Sequence, residues 1–266
     1  MNEKKNILEI DNLDVSIEKK DILKNFYLKI NQNETHVIMG PNGCGKSTLS
    51  KVLAGHPAYE IKKGNIFFKQ QDLLSLSPEI RSHEGLFLAF QYPIEISGVT
   101  NYDFLRIAYN EKQKYLKQKE LDPLEFMELI KNLLVNLKMK TEFLNRNLNE
   151  GFSGGEKKKN EILQMLLLSP QLIILDEIDS GLDIDAIKII CETIATYKEK
   201  NAALLIITHY PKILKYFEPS HVHIMSNGTI MKTGNLELIE ILEKEGYESL
   251  LLNSNDSSPS FSNISF

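Results

Sequence analysis

Eight consecutive residues, Gly40-Pro41-Asn42-Gly43-Cys44-Gly45-Lys46-Ser47, have the spacing G-x-x-x-x-G-K-S, which suits the binding of phosphate. Glycines here let backbone N–H groups turn inward, where side chains would block an anion. Lys46 brings a point charge to the terminal phosphates, and the Ser47 hydroxyl is placed to hold Mg²⁺. Gly40 through Ser47, with Thr48 next in line, therefore form the expected phosphate-binding stretch. Further along, Leu172-Ile173-Ile174-Leu175-Asp176-Glu177 is an apolar run that ends in two carboxylates. Asp176 suits contact with Mg²⁺. Glu177 suits orienting or deprotonating an attacking water, because phosphoryl transfer depends mainly on positioning and charge stabilisation.

Such residues need a scaffold that brings strand ends together. Thr35 to Met39 reads as a strand running into the glycine-rich loop, and Ser47 to Ala54 as the helix leaving it, with its dipole turned to the anion. Ahead of these, Ile7 to Ile10, Leu13 to Ile17 and Phe26 to Ile30 read as strands, with a tight turn at Asn33. Ile61 to Phe68 reads as another strand beside a turn at Lys62-Lys63-Gly64, and Gly85 to Phe90 as a short apolar run before Gln91 and Pro93. From Asn101 to Asn147 glycine disappears. Leu121, Leu124, Met127, Leu129, Ile130, Leu133, Leu134 and Leu137 recur there at helical spacing. The charge run Glu111 to Glu120 reads as a solvated helix face.

After this insertion Glu156 to Leu168 reads as a helix, and Leu172 to Leu175 and Leu204 to Ile207 as strands buried on both faces. Asp185 to Tyr197 is amphipathic, with Ile187, Ile190, Cys191 and Ile194 on one side. Asn227-Gly228 marks a hairpin between Val222 to Met225 and Thr229 to Lys232. Residues 253–266, rich in Ser and Asn, read as a disordered tail.

Composition narrows the function class. The apolar runs are too short to span a bilayer, and no basic–apolar–small-residue signal opens the chain. A net charge of −5 argues against a nucleic-acid groove. The two cysteines, Cys44 and Cys191, form no C-x-x-C pair, and the six histidines form no zinc-type spacing with them. Cys191 is expected to pack on a helix face, and Cys44 to fill a position of the loop where small residues fit.

In order along the chain, these motifs resemble those of the ATP-binding cassette (ABC) ATPases, and the resemblance spans nearly all of it. Phe152-Ser153-Gly154-Gly155-Glu156 is similar to the family signature, usually L-S-G-G-Q. Gln91 matches the Q-loop glutamine, Ser180-Gly181-Leu182-Asp183 the D-loop, and His209 the switch histidine. The resemblance implies an α/β fold. Its parts are a RecA-like core, an antiparallel β subdomain and a helical subdomain over about 92–150, all within one domain, 1–252. It implies ATP and Mg²⁺ as cofactors, with Glu177, His209, Lys46 and Gln91 as catalytic residues and Ser47, Gln91 and Asp176 around the metal. Ser153, Gly154, Gly155 and Glu156 would act on nucleotide bound to a second copy, while Ser180 and Asp183 lie at that interface. Two departures stand out: Glu156 replaces Gln, and the aromatic A-loop position has Ile17 as its nearest candidate.

Within the family, Gly85 to Pro93 with Ile94-Glu95-Ile96-Ser97-Gly98-Val99, Leu53 to Pro57, and Gly151 to Asn160 look like the SufC group. These are the ATPases of the SUF iron–sulfur cluster assembly system. That resemblance implies SufB- and SufD-like scaffold partners, ATP-dependent self-association, and no insertion into a membrane. The partner surface is expected on Gln91 to Val99 and the helical subdomain. The Lys/Asn/Ile bias favours a plastid, apicoplast or chloroplast stroma, over bacterial cytoplasm. The competing reading is the nucleotide-binding subunit of a membrane transporter. A chromosome- or repair-type ATPase would need coiled-coil or zinc insertions, and the sequence has neither.

Overall fold

The computed structural model describes residues 5–198 and 202–252, so the expected tail from Asn253 lies outside the described residues. Strands β1 (Asn6–Ile17) and β2 (Lys20–Asn31) form one long hairpin, turned at Glu18 and Lys19, both with positive φ. Sequence patterning divides β1 in two; the chain instead runs through Asn12 at φ 52°, where the ladder slips register. Opposite that slip, β4 (Glu60–Phe68) carries Gly64 at φ 93°. A Cβ on Gly64 would stand 2.3 Å from the Asn12 carbonyl oxygen, so only glycine fits. The expected turn at Lys62-Lys63-Gly64 is therefore a bulge inside a continuous strand. With β5 (Gln71–Asp72) these strands make an antiparallel sheet in the order β2-β1-β4-β5.

The second sheet carries the chemistry. Its strands are β3 (Thr35–Met39), β6 (Leu86–Ala89), β9 (Leu172–Asp176), β10 (Ala203–Ile207), β11 (His221–Ser226) and β12 (Thr229–Gly234), in the order β12-β11-β3-β10-β9-β6. All neighbours are parallel except the β11–β12 hairpin, which turns on Asn227 and Gly228 as the sequence predicts. One face, with Ile38, Ile174 and Leu205, packs on α1 (Lys46–Ala54) and the antiparallel sheet. The opposite face, with Val37, Ile173 and Ile206, packs on α5 (Gly154–Leu168) and α6 (Ile184–Lys198). Burial on both faces explains why these strands read as unbroken apolar runs. Cys191 lies buried on α6 as expected, its thiol pushed up to about 12 mainly by desolvation.

The insertion comprises α3 (Asn101–Tyr115) and α4 (Pro123–Asn136), entered by β7 (Ile96–Thr100) and left by β8 (Asn147–Leu148), which pair with each other. Thr100 caps α3, and Asp122 with Glu125 forms a capping box on α4. Outside it, α2 (Pro78–His83) precedes β6, and α7 (Glu237–Leu252) closes the described chain.

The charge run Glu111 to Glu120 is not one solvated face: the helix ends at Tyr115, and Lys112 is buried. Lys112 Nζ donates to the carbonyl of Leu168, the last residue of α5. Desolvation first, then the charge of Lys69, pulls its pKa down to about 8, against an opposing pull from Glu84. Between that value and the ordinary 10.5, the unfolded chain keeps a proton that the folded chain has released. Stability therefore rises with pH across that window. In urea unfolding of wild type and Lys112→Met from pH 7.5 to 10, the wild type should gain on the order of 2 kcal/mol of unfolding free energy relative to the variant, after allowing for solvent screening. A constant difference would show that the ammonium is solvated in the folded chain.

Candidate nucleotide site

At the C-terminal end of β3 the chain passes so close to β11 that a Cβ on Gly40 would stand 2.2 Å from the Met225 carbonyl oxygen. Gly43 and Gly45 follow at φ 77° and 109°, bending the loop in the left-handed region. Gly45 is the N-cap of α1 and offers no side-chain acceptor, so the first N–H groups of that helix are kept for an anion. Lys46 Nζ lies buried across the loop, donating to the carbonyls of Gly40 (2.8 Å) and Pro41 (3.0 Å). The β11–β12 turn buttresses the loop from behind, with Gly228 N donating to Cys44 O at 3.0 Å. Cys44 itself is buried, and desolvation raises its thiol pKa, as fits a packing role.

Asp176 ends β9 facing the start of α1. Its Oδ1 lies 3.2 Å from Ser47 Oγ, and its Oδ2 accepts from Ser50 Oγ at 2.6 Å. Burial raises its pKa, while the two serine hydroxyls oppose that shift. Ser50 was not among the residues expected from sequence, although it stands one helical turn beyond Ser47 on the same face. Hydroxyl and carboxylate are hard oxygen donors, the kind Mg²⁺ takes, so Ser47 and Asp176 fit the ion.

Glu177 begins a sharp departure from the strand. It sits at φ 47°, with its N–H donating to Ile207 O at 2.9 Å. Left-handed backbone at a non-glycine residue is strained and persists only where the surroundings enforce it. Its Oε2 accepts from Gln91 Nε2 at 2.6 Å, and its Oε1 lies 3.4 Å from His209 Nδ1. Two residues singled out by sequence, Gln91 and His209, thus converge on the carboxylate of a third, Glu177. Gln91 spends its amide N–H on Glu177, which leaves its carbonyl oxygen as the atom able to reach a cation. Asp179, missed in the sequence, lies beneath: Thr208 Oγ1 is 3.5 Å from its Oδ1, and burial raises its pKa against the pull of His209.

The signature is elsewhere. Ser153 caps α5 in a reciprocal box: its Oγ accepts from Glu156 N (3.3 Å), and Glu156 Oε2 accepts from Ser153 N (2.8 Å). Among the described residues no hydrogen bond links it to the phosphate loop of the same chain. Gly154 and Gly155 instead pack beside the D-loop, near Gly181 O and Ala186 Cβ. Asp183 caps α6, accepting from Ala186 N at 2.7 Å. Ser153 and Gly154 are exposed.

A family model described as "ABC transporter" matches residues 23–180, more than half of the chain. The chain belongs to the ATP-binding cassette family. Among its relatives is a "Probable ATP-dependent transporter ycf16" of Trieres chinensis, 58% identical over 94% of this chain and 100% of its own length. Another is "ABC transporter I family member 6, chloroplastic" of Arabidopsis thaliana, 50% identical over 92% of this chain and 73% of its own. A solved "ATP binding subunit of ABC transporter" superposes with a TM-score of 0.75 at 25% identity, covering 94% of this chain and 99% of the other. The chain is accordingly an ABC-type ATPase, with the α/β cassette fold expected from its motifs.

In this cassette the signature helix also holds the Q-loop, through residues that the sequence did not mark. Glu161, on α5, accepts from Phe90 N at 2.7 Å. Lys158 donates both to the Phe90 carbonyl and, at 3.0 Å, to Glu161. Both side chains are buried, and desolvation raises the Glu161 pKa against the pull of Lys158. Lys157 reaches Glu95 at 2.5 Å, and Asn149 Nδ2 donates to Ile94 O at 2.7 Å. Behind them, buried Asn101, Asn149 and Asn160 share three hydrogen bonds. Breaking this grip with Glu161→Ala should cost about 3 kcal/mol of stability, as for a severed buried pair. It should also slow ATP turnover by roughly tenfold or more, through a misplaced Gln91, with nucleotide affinity kept. A folded variant with wild-type turnover, measured by phosphate release, would refute the positional role.

Proposed function

We propose that this chain is the ATPase subunit of a SUF-type iron–sulfur cluster assembly complex. In this reading two copies close head to tail on ATP and reshape a SufB–SufD scaffold. The observation that carries it is the segment following Gln91. Tyr92 and Ile94 are 74% and 70% exposed, while the backbone and Glu95 around them are held by α5 and its N-terminal approach. Apolar side chains presented to solvent on a firmly held segment suit a docking surface. The same stretch is where the sequence resembles the SUF ATPases. Ile107 on α3 of the helical insertion is likewise exposed.

Each side chain has a task in the reaction. The inward N–H groups of the loop, the N-terminus of α1 and Lys46 bind the phosphates. Ser47 and Asp176 hold Mg²⁺, which when bound neutralises charge on the phosphate oxygens. Glu177 Oε accepts a proton from the attacking water, and Gln91 and His209 keep that carboxylate aimed. The exposed Ser153 and Gly154, with the N–H groups at the start of α5, meet the γ-phosphate of the second copy's nucleotide. A single copy is therefore slow.

Replacing Glu177 by Gln should leave ATP affinity within a few-fold, lower turnover by roughly 10²-fold or more, and accumulate a closed dimer seen by analytical ultracentrifugation. Turnover at the wild-type rate would remove Glu177 from the role of base. Ile94→Asp should weaken capture of SufB- and SufD-like proteins by roughly tenfold while sparing ATP binding. Equal affinity in calorimetry would place the partner elsewhere.

The names of the relatives favour a second reading, the motor of a membrane transporter. Among the described residues no helix is long and apolar enough to cross a membrane, which suits either. A pull-down from native extract with the Glu177→Gln chain, ATP and Mg²⁺ separates them. Soluble scaffold proteins support cluster assembly, and an integral membrane partner supports transport. We infer a plastid setting, in line with the chloroplastic relative; bacterial cytoplasm is the alternative.

A further inference from the structure

At the end of the parallel sheet away from the phosphate loop, three of the six histidines meet. His36 lies on β3 and His221 opens β11. They face each other across the ladder, so their side chains share the sheet face that carries Ile38 and Met225. Their ring centroids are 4.5 Å apart, and His223, two residues on, stacks 5.1 Å from His36. Glu34, just before β3, places Oε2 3.1 Å from His36 Nε2. One donor atom each from Glu34, His36 and His221 fits within 4.8 Å of the others.

A stack of packed histidines satisfied by one another would explain part of this. His36 Nδ1 meets His223 Nε2 at 2.9 Å, and His223 Nδ1 meets Thr233 Oγ1 at 2.9 Å, which commits both nitrogens of His223. His221 is different: its Nδ1 is buried and has no hydrogen-bond partner among the described residues, and one of its ring nitrogens lies within 4.8 Å of the Glu34 carboxylate and the His36 imidazole. A buried ring nitrogen without a partner is costly.

We propose that Glu34, His36 and His221 bind a divalent first-row transition-metal ion. Two imidazoles and a carboxylate are the borderline donor set that selects ions of the zinc or ferrous type over Mg²⁺ or Ca²⁺. Ligands on one ion at about 2.1 Å stand roughly 3.0–3.4 Å apart, and the Glu34–His36 pair already has that separation, at 3.1 Å. The surroundings have the order a metal site needs. With its Nε2 on the ion, His36 turns Nδ1–H to His223, which is fixed in turn by Thr233. Asn31 donates to Glu34 through its backbone N (3.0 Å) and its Nδ2 (3.2 Å), holding the carboxylate in place. Glu34 and His36 are buried while His221 is partly exposed, so the ion enters, and keeps an open position, on the His221 side. The site lies roughly 13 Å along β3 from the phosphate loop, at about 3.3 Å per residue. It would fasten β3 to β11 independently of nucleotide.

The test uses the full chain, stripped with chelator, and needs neither ATP turnover nor a scaffold partner. Zn²⁺ is titrated in competition with a chromophoric chelator, and Co²⁺ is followed by its visible ligand-field bands. The expected result is one equivalent of tightly bound Zn²⁺, a nitrogen/oxygen-type Co²⁺ spectrum without a thiolate charge-transfer band, and a higher unfolding temperature with Zn²⁺. His221→Asn and Glu34→Gln should each weaken Zn²⁺ by at least roughly tenfold and abolish that thermal shift. His209→Ala should keep the ion, which separates this site from the His209–Glu177 pair at the nucleotide. Non-saturating binding by wild type overturns the proposal even if a variant fails to fold. So does loss of the ion in His209→Ala, or unchanged affinity in His221→Asn.

Discussion

A strand buried on both faces can offer chemistry only at its ends. Here β3, β9 and β10 are apolar through their middles, so polar side chains gather at the two rims of the sheet. At the C-terminal rim stand the phosphate loop, Asp176, Glu177 and, just past β10, Thr208 and His209. At the other rim stand Glu34, His36 and His221. The parallel register fixes which residues become neighbours: Asp176 pairs with Ile207, so the carboxylate and the histidine two residues later emerge together. Shifting one strand by a residue would turn each of its side chains to the other face and take Glu177 away from His209.

Much of the nucleotide site was legible in the sequence because its motifs are local. The glycine-rich loop needs adjacent residues to bend one backbone, and the pair Asp176-Glu177 needs only a strand to end. What was hidden depends on tertiary partners. The bulge of Asn12 against Gly64 joins residues far apart in sequence, so alternation alone read a break and a turn. Lys112 looked like one more charge on a wet helix, and only the approach of Leu168 buries it. Glu161 and Lys158 sat unnoticed in a charged helical stretch, because nothing local says that Phe90 will come beside them. The histidine cluster was invisible for the same reason, since His36 and His221 meet only through strand order.

The unusual signature residue has a local physical account. In a capping box the third helical residue needs an oxygen that reaches back to the N-cap N–H, and Glu and Gln both provide one. Glu156 does this at 2.8 Å. Its negative charge also lies at the positive end of α5, where the helix dipole favours it. The substitution therefore preserves the geometry of Ser153, Gly154 and Gly155. Ile17 is less easily equated with the residue it replaces, since an aliphatic side chain at the end of β1 offers dispersion but no stacking face.

The buried pair Lys158–Glu161 bears on how the two halves of the machine are joined. A buried ion pair seldom stabilises a fold more than well-packed apolar residues would, because desolvation offsets most of the Coulomb attraction. Its contribution is direction: both side chains end on the backbone of Phe90, one on N–H and one on carbonyl, so the peptide before Gln91 has little freedom to turn. On the same helix, the adjacent Lys157 holds Glu95, and Ser153 caps the exposed N-terminal end. An α-helix transmits displacement along its axis with little loss because each turn is hydrogen-bonded to the next. Movement at the signature would therefore reach Gln91, and with it Glu177, at nearly the same time as it reaches Tyr92 and Ile94. The capped end of α5, the Gln91–Glu177 contact and the exposed Tyr92 and Ile94 are thus tied to one rigid element.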